Sequence, residues 1–470
     1  MKEIRRNMRL IGTLILCLFI GTGGWFGYTA FTQGSRWAMS GYNTRLNNAK
    51  KTVAMGTITD RDGYVLAYTD DSGERQYSSD MSIRLAVSQT VGDTMSMSGT
   101  GVQTFFASAL VGMSGSIIDR TWSWLSGETT RGDDIQLTID AQLSGVLARS
   151  FPSGYNGAAV VMNYKTGEIL AMVSMPEYDP AGLGTDVADT AYLNRCLQGL
   201  YTPGSVFKIV TLTAALDNLP GLLNRTFTCT GSQDFGGAAV TCLSGRKAHG
   251  EMDLKAAFAQ SCNVTFAELS YELGKSNMQS TAENFGFNDN FSFSDIVLYN
   301  SSYPEDVASV NELAWSGVGQ GRVLVTPLHM AMIASSVANG GVMMEPKLVR
   351  QITGAAGIPR LRTSGGAYKR VMSEATAQIV GEYMRETVEN GTGKKARVSG
   401  YTGCGTTGSA ETSNDKSVST NAWFVGYIQD ASCPYAVAVV LEQAGAGGDL
   451  AATLAAKCLA EAVELVGGQG

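Results

Sequence analysis

The sequence predicts an α+β fold, an antiparallel sheet flanked by helices, on three observations. Strand-like apolar segments occur at Ala158–Asn163 and Glu168–Ser174, and again at Cys404–Glu411, Asn421–Ile428 and Tyr435–Glu442. Between these groups, apolar residues recur at helical spacing. Polar links rich in Gly and Pro separate the elements, so strands from two distant parts of the chain must complete one sheet.

The elements follow in order. Lys2, Arg5, Arg6 and Arg9 precede an uncharged, mostly apolar run from Leu10 to Phe31. Such a run is long enough to span a bilayer, which takes about 20 residues. A cleaved signal peptide shares the basic start, but the run is long for one, so an uncleaved anchor is the preferred reading. It divides the chain into a cytoplasmic tail (1–9), a transmembrane anchor (10–31), a small β-rich N-terminal domain (32–130) and a larger domain (131–470). The basic flank places the remainder outside the plasma membrane.

Within the N-terminal domain, Gly56 to Ala67 reads as strand, D-x-D-G turn and strand, with Gly63 taking the positive φ. Ile135–Asp140 alternates like a strand and Ala141 to Ala148 looks helical. The two arms around Tyr164-Lys165-Thr166-Gly167 form a hairpin apolar enough to be buried on both faces. Helices are expected from about Leu254, from Pro327 to Asn339 with Gly340-Gly341 as the stop, from Ser373 to Glu389, and from Leu450 to Leu465.

Composition excludes some functions. The net charge of −7 and the pI near 5.1 give no support for nucleic-acid binding. The two histidines, His249 and His329, lie far apart without ligand-like companions in the sequence, so no metal site and no cofactor is expected. Of eight cysteines, Cys229 and Cys242 flank a Gly-rich excursion that a disulfide could staple in an oxidising compartment.

Three polar clusters carry the chemistry. Ser205 opens an apolar helix, and Lys208 follows one turn later on the same face. Burial favours the neutral form of such an amine, which can then take the serine proton, and the helix N-terminus offers N–H groups to an oxyanion. S-x-x-K also occurs at Ser244–Lys247 and Ser413–Lys416, so spacing alone is weak evidence. Ser261-Cys262-Asn263 sits between two apolar helical stretches, where Ser261 or Asn263 could also be an ordinary N-cap. Thr406-Thr407-Gly408-Ser409 lies on a strand where small hydroxyl residues and glycine let a ligand backbone approach.

In that order, S-x-x-K, S-x-N and a K-T-G-like strand resemble the signature of penicillin-binding proteins and serine β-lactamases. Asn194 to Ser205, Gly319 to Leu328 and Ala422 to Tyr427 resemble the class B transpeptidase group in particular, over residues 131–466. The resemblance implies a peptidoglycan D,D-transpeptidase with an anchor and a pedestal. Its substrates are D-Ala-D-Ala stem peptides, β-lactams enter the same site, and a separate membrane glycan polymerase is the expected partner. By resemblance, Ser205 is the nucleophile and Lys208 its base. Ser261 and Asn263 complete the catalytic set, the amides of Ser205 and Ser409 form the oxyanion hole, and Thr406, Thr407, Gly408 and Ser409 bind substrate.

One departure stands out. The literal Lys165-Thr166-Gly167 is a hairpin turn ahead of the nucleophile, whereas the third motif has Thr406 where the family has lysine. Loss of a charge-assisted hydrogen bond costs about 1.5–3 kcal/mol. The alternative reading is therefore a catalytically weak or inactive scaffold of a wall-synthesis complex.

Overall fold

Strand Gly157–Asn163 is apolar on both faces, and the fold covers both. In the computed structural model it lies inside a five-stranded antiparallel sheet. The order is Gly403–Ala410, Asn421–Ile428, Tyr435–Leu441, Gly157–Asn163, Ile169–Met175. The structure describes residues 2–38, 49, 53–113, 131–182, 187–242, 248–354, 357–363, 365–412 and 418–467. Ser244–Lys247 and Ser413–Lys416 both fall outside them.

Alternation along the central strand sorts its side chains into two cores. Ala158, Val160 and Met162 pack with Met330, Ala331 and Ala334 of the helix Pro327–Ala338. Ala159 and Val161 pack with Leu454, Ala455 and Cys458 of the helix Leu450–Leu465. The helix Pro327–Ala338 is buried nearly all round, as expected of one apolar on every side. Thr326 caps its start by accepting from the His329 amide, Pro327 fits the first turn, and Gly340 with φ 60° follows its end.

The N-terminal region forms a second sheet. Its order is Pro359–Arg362, Val349–Thr353, Asp134–Leu137, Ile58–Thr59, Val65–Thr69, Arg75–Tyr77. The turn between Ile58 and Val65 carries Gly63 at φ 90°, as the D-x-D-G reading requires. Ile58–Thr59 pairs parallel with Asp134–Leu137, which also pairs with Val349–Thr353, so this sheet continues across the division expected at residue 130. Between this sheet's Arg75–Tyr77 and Asp134–Leu137 lie the short helices Met81–Ala86, Ser88–Val91, Val102–Phe105 and Ala107–Leu110.

At the N-terminus, the helix Lys2–Ala38 includes a 24-residue span, Arg6–Thr29, with mean hydropathy 1.8 and no burial against the rest of the chain. It is long and apolar enough to cross a membrane.

Candidate active site

Ser205 lies in a 3-10 turn, Gly204–Phe207, that runs into the α-helix Lys208–Asn218. Two glycines make this turn possible. Gly204 has φ 58°, and its amide donates to the carbonyl of Gly319 at 2.9 Å. Gly319 has φ 76°, and a Cβ there would lie 2.2 Å from the Gly204 oxygen and 2.5 Å from Phe207 Cβ. The segment Gly319–Leu328 thus includes the seat of the Ser205 turn.

Lys208 is buried, 1% exposed, among apolar neighbours. Its Nζ donates to Ser261 O at 2.7 Å, Ser261 Oγ at 3.0 Å and Asn263 Oδ1 at 2.8 Å, and lies 5.3 Å from the centre of the Phe266 ring. Burial lowers its pKa to about 8, against the opposing effect of the nearby Cys262 and Cys242 thiols. The one-turn spacing suggested a direct bond to Ser205. Among the described residues the amine instead turns to the oxygens of Ser261 and Asn263, three acceptors that a buried ammonium needs more than one hydroxyl.

Ser261 and Asn263 are placed by a tight turn between the helices Leu254–Ala259 and Asn263–Asn284. The N-cap is Cys262, whose sulfur accepts from the Thr265 amide at 3.5 Å, rather than Ser261 or Asn263. That leaves both polar side chains free to meet Lys208. Ser261 has φ 55°, a conformation rarely taken by a residue with a Cβ. Asn263 Nδ2 donates to Thr241 O at 2.9 Å, so one amide group links Lys208 to the Gly-rich excursion.

The third cluster lies on the edge strand Gly403–Ala410. A Cβ at Gly408 would sit 2.7 Å from Pro203 O, so glycine lets this strand pass against the Ser205 turn. Thr407 Oγ1 bonds Thr392 Oγ1 at 2.7 Å, and Ser409 Oγ accepts from the Gly447 amide at 3.1 Å. Thr406 is 2% exposed. Of the basic residues in the segment before this strand, Lys395 pairs with Asp449 and Arg397 donates to the carbonyls of Val388 and Glu389.

One supporting residue, Glu442, carried no sequence signal. Glu442 accepts from Arg195 Nε at 2.9 Å and from Tyr201 OH at 2.8 Å, fixing the approach to Ser205 from the far strand. Gln320 Nε2 donates to Ser409 O at 3.3 Å. Beside the site, Thr202, Trp315, Gln320, Glu312 and Glu411 line a groove of about 590 Å³.

The cysteine readings need correction. Cys229 and Cys242 are not joined. Their sulfurs stand 3.7 Å apart, and Cys242 is 3.8 Å from Cys262. Nor is His249 without ligand-like companions, because its Nδ1 lies 3.4 Å from Cys229 Sγ. Strand pairing explains this, since Gly250 opposes Cys229 and brings its neighbour His249 alongside.

Known proteins resemble this chain in sequence and in fold. Residues 157–460 match the family model described as penicillin binding protein transpeptidase domain. The peptidoglycan D,D-transpeptidase PbpA of Mycolicibacterium smegmatis is 28% identical over 79% of this chain and 81% of its own length. Stage V sporulation protein D of Bacillus subtilis is 33% identical over 63% of this chain and 47% of its own. Among solved structures, penicillin-binding protein A from M. tuberculosis, as a ceftriaxone acyl-enzyme complex, superposes with a TM-score of 0.80 at 25% identity, covering 89% of this chain and 99% of that one. The D,D-transpeptidase domain from Eggerthella lenta gives 0.73 at 29% identity, covering 88% and 100%. With the buried Lys208 bonded to Ser261 and Asn263 and the family model matched over most of its length, the chain belongs to the penicillin-binding protein transpeptidase family.

Proposed function

We propose that this protein is a membrane-anchored peptidoglycan D,D-transpeptidase acting through an acyl-enzyme at Ser205. The observation that carries the assignment of residues is the buried Lys208, one turn after Ser205 and bonded to both Ser261 and Asn263. Relatives named as D,D-transpeptidases and structures captured as β-lactam acyl-enzymes support the reaction.

The substrate is a stem peptide ending in D-Ala-D-Ala. Ser205 Oγ attacks the carbonyl of the penultimate D-Ala, and its proton passes to neutral Lys208. With a pKa of about 8, about a tenth of the lysine is neutral at pH 7. Amides of Ser205 and Ser409 stabilise the oxyanion. As the C–N bond breaks, Lys208 returns that proton through the Ser261 hydroxyl to the departing D-Ala amine, leaving Lys208 neutral, Ser261 protonated and a Ser205 ester. The amine of a second stem peptide attacks that ester, forms the cross-link and returns the serine proton. Asn263 orients Lys208 and the peptide amide, while Thr406, Thr407, Gly408 and Ser409 form the strand beside the substrate. A β-lactam acylates the same serine.

The domain that includes Ser205 lies on the extracytoplasmic face, because the basic residues before the anchor remain in the cytoplasm. A separate membrane glycan polymerase supplies the strands to be cross-linked. Fluorescent penicillin tests the reading: covalent label is expected on the wild type and lost in Ser205→Ala. Absence of label on the folded wild type would favour the scaffold, for which Thr406 in the place of the family's lysine is the motivating observation.

A further inference from the structure

Four ligand-type atoms from separate segments converge behind the S-x-N turn. They are the sulfurs of Cys229, Cys242 and Cys262 and a ring nitrogen of His249, all within 4.8 Å of one another. The three cysteines are buried, at 1%, 4% and 0% exposure, and His249 is half-buried. Cys229 ends the strand Thr226–Cys229, Cys242 follows Ala239–Thr241, and His249 precedes Gly250–Asp253. Cys262 is the central residue of the S-x-N turn.

Three of the six edges between these atoms have the lengths of a metal tetrahedron. Zinc–sulfur bonds of about 2.3 Å place neighbouring sulfurs about 3.8 Å apart, and a zinc–nitrogen bond of about 2.0 Å gives sulfur–nitrogen edges of about 3.5 Å. The structure has sulfur–sulfur edges of 3.7 and 3.8 Å and a sulfur–nitrogen edge of 3.4 Å. A disulfide holds its sulfurs at about 2.05 Å and uses only two of the four groups. Donors also point at the sulfurs. The Gly231 amide reaches Cys229 Sγ at 3.3 Å, and Thr265 Oγ1 and its amide reach Cys262 Sγ at 3.3 and 3.5 Å. Hydrogen bonds of this kind orient and stabilise thiolate ligands.

We propose that Cys229, Cys242, His249 and Cys262 bind one zinc ion, which fastens the Ser261–Asn263 turn to the Gly-rich excursion. Three thiolates and an imidazole are a donor set suited to zinc, and four protein ligands leave no open position for a reacting water. The ion is therefore structural. Its effect on the active site runs through Cys262, the direct neighbour of both groups that hold Lys208, and through Asn263, which is already tied to Thr241 beside Cys242. These four side chains act as positioning residues.

Elemental analysis of the full chain, purified in detergent without added chelator, should find about one zinc per chain. Exchange with cobalt(II) should give the strong visible absorption of a tetrahedral thiolate site, a readout independent of any variant's folding. Cys229→Ser and His249→Ala should each lower the zinc content and the melting temperature. Stripping zinc from the wild type should slow penicillin acylation about tenfold or more, with recovery when zinc is restored.

A metal-free chain would overturn the proposal, whether its thiols are free or peptide mapping without reductant finds Cys229–Cys242 or Cys242–Cys262 joined. An unchanged acylation rate after verified zinc loss would overturn the positioning role. Zinc content and the cobalt spectrum are read without labelling, so failure of Ser205 to acylate would count against the transpeptidase reading alone.

Discussion

The carbonyl of Gly319 accepts the amide of Gly204 at 2.9 Å, and the two backbones come so close that no side chain fits at position 319. Gly319→Ala combines a positive φ with overlap onto backbone. It should destabilise the protein by about 3 kcal/mol and slow acylation at Ser205 further than stability alone explains. Thermal melting alongside penicillin labelling below the transition checks both; normal labelling at an unchanged melting temperature would refute the seat.

Lys208→Arg tests the base. Guanidinium keeps its proton, so it cannot receive one from Ser205 even if it preserves contacts with Ser261 and Asn263. Acylation should fall by about a hundredfold or more, measured as a second-order rate with a chromogenic β-lactam. A rate within a few-fold of wild type would remove Lys208 from the proton path.

Thr406→Lys tests the departure in the third motif. A restored charge-assisted hydrogen bond of about 1.5–3 kcal/mol corresponds to roughly a tenfold to hundredfold gain in acylation. No gain in a stably folded variant would mean that the site has adapted to threonine.

His329 predicts acid sensitivity. It is fully buried, bonded to Ser301 Oγ at 2.7 Å and Phe285 O at 2.8 Å, and burial lowers its pKa to about 4. The unfolded chain, with a pKa near 6.5, takes up this proton first as pH falls. Its contribution is fully present above about pH 6.5 and is lost as pH falls towards 4, by about 2–3 kcal/mol. Denaturation of the wild type and His329→Gln at several pH values should show a shallower acid slope in the variant.

Much of this architecture was legible because its signals are local. The hairpin around Lys165-Thr166-Gly167, the helix Pro327–Ala338 with its cap and glycine stop, and the helix Leu450–Leu465 follow from periodicity and turn chemistry. The three polar clusters were legible as a series, and the structure gathers Lys208, Ser261 and Asn263. Relationships between distant residues were not legible. Nothing near Gly319 shows that it faces Gly204, and nothing near His249 shows that strand pairing sets it beside Cys229. Cys262 as N-cap escaped because sulfur is an uncommon cap, and the helices between Met81 and Leu110 are too short to show a period.

The pairing of Gly157–Asn163 with Tyr435–Leu441 has a consequence for biogenesis. The partners lie roughly 280 residues apart, so the middle of the sheet cannot close until nearly the whole chain has been made. Until then Val160 and Val161 expose apolar groups on opposite sides of an unfinished hairpin, a surface prone to aggregation. An emerging chain therefore needs protection for as long as its last strands are missing, and any fragment ending before Tyr435 carries Ser205 without the complete sheet.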